Sequence, residues 1–315
     1  MKLSERLRIF ATRIKSYFVS DQVRNFVLFL EDFFPSEKCF KLLGFFFFNE
    51  LQTSMTQTQQ QRRKIIFWAA IIIKLVILFL HMINFLIVAG KLKNFVASTE
   101  TFGFINGYIL IMVKIFIFCY WKRKGIMKII ERLDKYFPHS SHDQMQFKVP
   151  KHKHHLKILH QMSFAAHALT WSHTCYIPLL SIMLGYEMQL IGPIYFPIDP
   201  FQYWLYPIIY IIEAWDLFFF YFMLFAMDAF FCSLVCVTSM EFDVLAQKLG
   251  QIDPETDENA DKKLGEIIDG YNELTDIANE LEDIFSPLLL AHVFGVIFML
   301  CAGVFLLFVT IFESG

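Results

Sequence analysis

Five segments of this chain are long and apolar enough to cross a lipid bilayer as helices, and no other feature limits the fold as much. They cover about residues 65–89, 103–121, 158–185, 204–237 and 285–312. A helix spans the hydrocarbon core of a bilayer with about 20 mostly apolar residues. The fourth segment exceeds that length, so we expect it to tilt or to continue beyond the membrane. The pattern predicts an all-α fold, a polytopic transmembrane helical bundle.

The composition is typical of a membrane protein. Of the 315 residues, 56% are hydrophobic and 18% are charged, and 38 are phenylalanine. Soluble domains average about 45–50% apolar and about 25% charged residues. The net charge of −2 gives no signal for a nucleic-acid partner, so membrane lipid is the expected surrounding.

The lysine and arginine residues alternate between the two sides of the predicted bundle. Eleven precede the first span, and the four following loops hold two, ten, none and three. Basic loops stay on the cytoplasmic side. This predicts a cytoplasmic N-terminal region at 1–64, a bundle at 65–312 and an extracellular loop at 186–203. A receptor coupled to a G protein starts outside, so this topology argues against that class.

The N-terminal region contains an apolar stretch at residues 42–48 (LLGFFFF). It is too short to span a bilayer. Two interpretations stay open: an interfacial or re-entrant helix, and a buried turn of helix packed under the bundle.

The second loop begins with an amphipathic pattern. Residues 122–137 place apolar side chains at helical spacing, and Pro138 ends the helix. Several histidines follow, interleaved with lysines that repel a cation. We therefore predict a solvated linker here and no metal site.

The stretch at residues 192–207, which covers most of the third loop and the start of the fourth span, carries four prolines and several aromatic residues. Prolines fix the backbone and break helices, so an ordered external turn or lid is expected. Its aromatic side chains either cap a hydrophobic cavity or form an interfacial belt.

Polar side chains inside the spans are costly in hydrocarbon and face the bundle interior or water. The third and fourth spans carry His160, Gln161, His167, Thr170, Ser172, His173, Thr174, Glu213, Asp216 and Asp228. A proton or ion path is one interpretation, and interhelical hydrogen bonding around a water-filled vestibule is favoured over it. No catalytic motif occurs, so neither an enzyme nor a cofactor is predicted.

The last loop, a cytoplasmic helical extension at 240–284, contains a heptad-like seam that runs on into the fifth span. Its apolar members are Leu264, Ile267, Tyr271, Leu274, Ala278, Leu281, Phe285 and Leu288. Acidic residues fill the other faces, with Glu273 among those expected to be exposed. The seam predicts packing against another helix, of the same chain or of another subunit.

Four stretches, taken together, resemble the insect odorant receptor family, in particular its ligand-tuned subunits. They are CFKLLGFFFF at 39–48, KRKGIMKIIERLDKYFP at 122–138, PIYFPIDPFQYWLYPIIYIIEAW at 193–215 and ELEDIFSPLLLAHVFGVIFMLCAGVF at 280–305. The inverted topology is also that of this family.

The resemblance implies seven spans, a ligand-gated cation channel and a heterotetramer with a shared odorant receptor co-receptor. It implies the plasma membrane of olfactory sensory neurons as the location. Five spans of the expected seven are present, so the chain is expected to be truncated before the sixth and seventh. Pore residues of the family have no counterpart here.

The family's pocket lies in the outer half of the bundle and receives a small volatile odorant. Mapping that region onto the predicted spans gives the candidate ligand-binding residues Phe104, Tyr108, Met112, Trp171, Thr174, Pro178, Ser181, Tyr206, Tyr210, Glu213 and Leu217. Two alternatives stay open. A gustatory receptor of the same superfamily would share the fold, and a secondary transporter would explain the polar third span.

Overall fold

The described part of the chain is built from α-helices and their connections. The structure is a computed structural model and describes residues 21–42, 57–90, 95–253 and 259–313. In chain order the helices are α1 Asp21–Phe33, α2 Ser36–Leu42, α3 Gln57–Gly90, α4 Phe95–Phe116, α5 Arg123–Tyr136, α6 Ser141–Gln146, α7 Val149–Met183, α8 Tyr206–Leu249 and α9 Ala260–Glu313. The all-α class predicted from the sequence is confirmed. The apolar stretch at 42–48, for which an interfacial helix and a buried turn both stay open, lies from residue 43 onward outside the described residues.

The five longest described helices, α3, α4, α7, α8 and α9, overlap the five predicted spans. Among the described residues, three stretches are long and apolar enough to cross a membrane: Ile65–Ile87, Tyr206–Leu249 and Ala260–Phe305. Thr101–Phe116 is a shorter apolar helix, and α7 is more polar because of its histidines, serines and threonines. The number of crossings and the side of the N-terminus stay predictions.

The long helices pack as neighbours in a bundle. Helix α3 lies along α4, α7 lies along α8, and α9 packs against both α4 and α8. Helix α8 runs through 44 residues without interruption. The helix therefore continues past residue 237, where the predicted fourth span ends, and the tilt or extension of that span relative to the membrane stays a prediction.

A π-helical turn at Ile117–Trp121 ends the second predicted span and places Phe118 at the centre of an aromatic cluster. The Phe118 ring lies 6.2 Å from that of Phe40, 5.1 Å from that of Phe230 and 5.7 Å from that of Phe285. These rings belong to α2, α8 and α9, so the cluster ties three helices to the end of α4. Edge-to-face aromatic pairs of this kind add about 0.5–1.5 kcal/mol beyond their area burial.

Helix α5 confirms the amphipathic pattern of the second loop. Ile126, Ile129, Ile130 and Leu133 are fully buried, and the helix ends at Tyr136, before Pro138. The segment after it differs from the prediction of a solvated linker. Residues 141–146 form α6, and α7 begins at 149 rather than near 158.

The early start of α7 has a physical reason. Val149 and Leu156 are buried on one face of its first turns, and the His152 ring lies 3.3 Å from the Asp243 carboxylate of α8. Lys151, His154 and His155, which lie between them in sequence, are exposed. A helix needs only one buried stripe, so the abundance of lysine and histidine did not prevent it.

The seam of α9 packs against its own chain. Leu274, Leu281 and Leu288 are buried, whereas Leu264 is 41% exposed. The expectation that Glu273 is a free surface residue was wrong. Its carboxylate lies 2.5 Å from Arg132 Nε on α5, and the carboxylate of Glu280 lies 2.6 Å from Arg132 Nη1.

Candidate ligand-binding site

Two neighbouring cavities lie at the end of the bundle that carries the α7–α8 loop, residues 184–205. The smaller has a volume of about 120 Å³ and the larger of about 1010 Å³. Both are bordered by Phe104 and by loop residues including Ile191 and Phe196. An apolar cavity of about 150 Å³ holds one benzene molecule, so the pair offers space for a small organic molecule.

The smaller cavity lies between α3, α4, α8 and the α7–α8 loop. Most of its wall is apolar, with Ile77 from α3 and Leu217 from α8 among the lining residues. Four polar side chains also line it: His81, Tyr108, Glu213 and Asp216.

The larger cavity shares Phe104 and part of its loop wall with the smaller one, and helices α4, α7 and α9 also border it. Helix α7 contributes Thr174 and Pro178 to its wall, and α9 contributes Ala302. Backbone and side chains of the loop form the rest. The two cavities together therefore join five helices around one loop.

The α7–α8 loop is held down by hydrogen bonds to two helices. From α3, His81 Nδ1 lies 3.0 Å and Asn84 Nδ2 lies 3.1 Å from the carbonyl oxygen of Pro193. From α8, the Glu213 carboxylate accepts a hydrogen bond from the Ile191 N–H at 2.8 Å. The Tyr206 hydroxyl of α8 also donates to the backbone carbonyl oxygen of residue 189 at 2.8 Å. The prediction of an ordered turn is confirmed for this part of the loop.

Glycines at two points allow the loop to take this course. Gly185 adopts φ +79° just after α7, and the Tyr186 N–H donates to the Ser181 carbonyl at 2.9 Å. This is the arrangement that ends helices with glycine in the left-handed region. At Gly192 a Cβ atom would stand 3.3 Å from the Phe104 ring and 3.4 Å from the His81 ring, so a larger residue would push the loop away.

A buried ion pair lies at the inner side of the smaller cavity. Lys74 Nζ of α3 lies 2.6 Å from Asp216 Oδ1 of α8, and the Tyr108 hydroxyl of α4 donates to Asp216 Oδ2. The Lys74 ammonium also lies 5.3 Å from the centre of the Phe219 ring and 5.9 Å from that of Phe220. Three helices therefore meet at one charge-compensated point.

The structure places six of the sequence-predicted site residues on these cavities. Phe104, Tyr108, Glu213 and Leu217 line the smaller one. Phe104, Thr174 and Pro178 line the larger one.

The other five candidates do not line either cavity. Trp171 Nε1 donates to the Ala214 carbonyl at 3.1 Å, and Tyr210 donates to the Cys175 carbonyl, so both connect α7 with α8. Tyr206 binds the loop and Ser181 belongs to the end of α7, as described above. Met112 packs against the hydrophobic core.

Sequence reasoning missed three polar residues inside the first two spans. They are Lys74, His81 and Lys114, all buried. Lys114 Nζ lies 2.9 Å from Asp228 Oδ1, in a second ion pair deeper along α4 and α8. The charged residues were considered only in the third and fourth spans. Considering the first and second spans as well would have shown two lysines available as ion-pair partners for Asp216 and Asp228.

The fold and the cavities define a polytopic helical membrane protein with a ligand-sized site under a loop. A family model described as 7tm Odorant receptor matches residues 94–313. This chain belongs to that family, and the resemblance seen in the sequence is confirmed.

Solved structures show the same fold. The chain is similar to the insect olfactory receptor OR5 from Machilis hrabei, with a TM-score of 0.71 and 12% sequence identity, over 88% of this chain and 71% of that chain. The complex of OR5 with eugenol matches with the same values. No curated protein matches the chain closely in sequence.

Proposed function

We propose that this chain is the ligand-tuned subunit of an odorant-gated cation channel, and that its two cavities receive small, mostly apolar volatile molecules. The observation that carries this proposal is the cavity pair at the α7–α8 loop. Its walls are mainly apolar and aromatic, with a few polar groups. Sites for small organic ligands have this character. The similar receptor OR5 has been solved in complex with eugenol, which supports a small organic ligand.

The candidate residues divide into two groups by their positions. We propose that Phe104, Tyr108, Thr174, Pro178, Glu213 and Leu217 contact the ligand, because they line the cavities. The remaining candidates, Met112, Trp171, Ser181, Tyr206 and Tyr210, hold the surrounding helices and loop in place.

Channel gating requires a partner in this proposal. The receptor assembles with the odorant receptor co-receptor as a heterotetramer in the plasma membrane of olfactory sensory neurons. Family membership supports this assembly, and the distribution of lysine and arginine supports a cytoplasmic N-terminus.

Odorant-evoked current in cells that express the chain with the co-receptor tests the proposal. Phe104 lines both cavities, so Phe104→Ala should enlarge the space beside it and favour bulkier odorants. Differences of one or a few carbon atoms in such pockets change selectivity by about tenfold or more. We expect a shift of that size in the rank order of an odorant panel.

The matched control is Phe116→Ala, on the same helix, because the Phe116 side chain is 60% exposed and lines neither cavity. Its rank order should equal that of the wild type. An order that changes with Phe116→Ala and not with Phe104→Ala would place the ligand elsewhere. Ligand binding to the purified chain without evoked current would retain the site and reject the gating role.

A further inference from the structure

The first turns of α7 divide their basic residues between two sides of the helix. On the inner side, His152 lies 3.3 Å from the Asp243 carboxylate of α8, and Lys153 lies 2.5 Å from the Asp32 carboxylate of α1. Both residues therefore have an acidic partner within the protein. The basic residues on the outer side are all exposed, and they are Lys151, His154, His155 and Lys157.

These four outer residues form no ion pair with an acidic side chain in the described part of the chain. Lys151 and Lys157 therefore present positive charge that the described protein does not neutralise. The rings of His154 and His155 lie 6.4 Å apart and add N–H donors. A patch of one sign raises the local concentration of ions of the opposite sign, so this side of α7 is suited to an anion.

The same side of α7 becomes apolar within one helical turn. Lys151, His155, Ile158 and Met162 stand three or four residues apart and therefore share a face. Ile158 is 41% exposed and Met162 is 66% exposed, and both lie in the predicted third span, which starts at about residue 158. Lys151 precedes Ile158 by about 10 Å along the helix. The flexible stem of lysine spans much of that distance, so its ammonium group is expected at the level of the lipid headgroups.

We propose that the outer face of α7, defined by Lys151, His154, His155 and Lys157, binds the phosphate group of an anionic phospholipid in the cytoplasmic leaflet. Ile158 and Met162 then contact the acyl chains of that lipid. Ammonium and imidazole N–H groups donate strong hydrogen bonds to phosphate oxygens. The predicted cytoplasmic position of residues 122–157 places this face at the leaflet that carries the anionic lipids.

The shape of the face favours a lipid over a soluble anion. Its basic residues are exposed and line one side of a single helix, so they contact an anion from one direction only. The exposed apolar residues that follow in the next turn offer additional contact to acyl chains and none to a soluble phosphate. Burial of apolar surface adds to the affinity in proportion to the area removed from water. The two parts together therefore match a molecule with a charged head and an apolar body.

Native mass spectrometry of the purified chain in detergent tests the proposal. Phosphatidylserine and phosphatidylcholine with the same acyl chains are added in equal amounts. A basic residue at the membrane surface raises the affinity for anionic lipid by about fivefold. The wild-type chain should therefore retain phosphatidylserine over phosphatidylcholine by at least about tenfold. The double variant Lys151→Gln/Lys157→Gln removes two charges and should lower this preference on the order of tenfold.

The matched control is Lys262→Gln/Lys263→Gln at the start of α9. It removes the same two charges from the same predicted side of the membrane. These lysines precede the predicted fifth span by more than 20 residues, which is about 33 Å along the helix. The control variant should therefore retain the wild-type preference for phosphatidylserine.

Four results would overturn this inference. They are equal retention of the two lipids by the wild-type chain, an unchanged preference in Lys151→Gln/Lys157→Gln, an equal loss in the control variant, and full displacement of phosphatidylserine by millimolar inorganic phosphate. The last result would assign the face to a soluble phosphate instead of a lipid. If the double variant fails to fold, Lys151→Gln alone decides, with an expected loss of about fivefold.

Discussion

The buried ion pair between Lys74 and Asp216 should make the effects of two substitutions strongly non-additive. The side chains are 3% and 6% exposed, and their charged atoms lie 2.6 Å apart. Removing one partner of a buried pair costs about 3–5 kcal/mol, because the other charge stays buried without compensation, whereas replacing both is often nearly neutral. We expect Lys74→Met and Asp216→Asn each to lower the free energy of unfolding by about 3–5 kcal/mol. The loss of unfolding free energy in the double variant should be smaller than the sum of the two single losses by at least about 2 kcal/mol.

The substitutions are chosen so that the charge is the main change. Methionine retains most of the length of the lysine side chain among the rings of Phe219 and Phe220. Asparagine retains an oxygen that accepts the hydrogen bond from Tyr108. The coupling therefore reports the ion pair rather than a cavity or a lost hydroxyl partner.

Thermal unfolding of the chain in lipid nanodiscs measures the effect. A loss of this size corresponds to a fall in the unfolding temperature of roughly 10 °C. The control cycle uses Lys153→Met and Asp32→Asn, since these side chains form a pair at 2.5 Å but are 27% and 48% exposed. Exposed pairs contribute about 0.2–1 kcal/mol. Additive effects at Lys74 and Asp216, or a coupling no larger than in the control cycle, would refute the reasoning.

Two further predictions concern assembly and topology. Leu274→Asp places a charge on a fully buried position of the α9 seam and should strongly lower surface expression. Leu264→Asp, at the 41% exposed end of the same seam, should leave surface expression unchanged. Equal effects of the two substitutions on cell-surface labelling would contradict the packing of α9. A glycosylation acceptor with a flexible spacer should be modified when inserted in residues 186–203 and not in residues 122–157; the reverse pattern on a gel would invert the proposed orientation.

The long helices and their buried faces were predictable from periodicity. In α5, three isoleucines and a leucine recur at helical spacing, and the same rule identified the inner part of the α9 seam. The segment before residue 158 was misjudged because its histidines and lysines suggested a solvated linker. One buried stripe with Val149 and Leu156 is sufficient to hold it as a helix, and composition does not show that stripe.

The cavity was predictable in part. Phe104 and Tyr108 on α4, and Glu213 and Leu217 on α8, stand four residues apart and therefore share a helix face. The role of Tyr210 was not predictable, because its hydroxyl donates to a backbone carbonyl of α7. Which backbone group lies within its reach depends on how the two helices pack. Charges of opposite sign within the spans signal ion pairs, but their pairing depends on how the helices are staggered.

Helix α8 has a mechanical property that follows from its length. It contains neither glycine nor proline after Pro207, and at 1.5 Å per residue its 44 residues form a rod about 66 Å long. Glu213 lies near one end, Leu245 near the other, and the aromatic contacts of Phe230 lie between them. Glu213 and Leu245 each lie about 25 Å from Phe230 along the helix, by the rise per residue. A tilt of the helix by about 5° about Phe230 would therefore move both positions by about 2 Å in opposite directions. Since no glycine or proline interrupts the helix after Pro207, a tilt imposed at one end would be transmitted to the other end rather than absorbed by a bend between them.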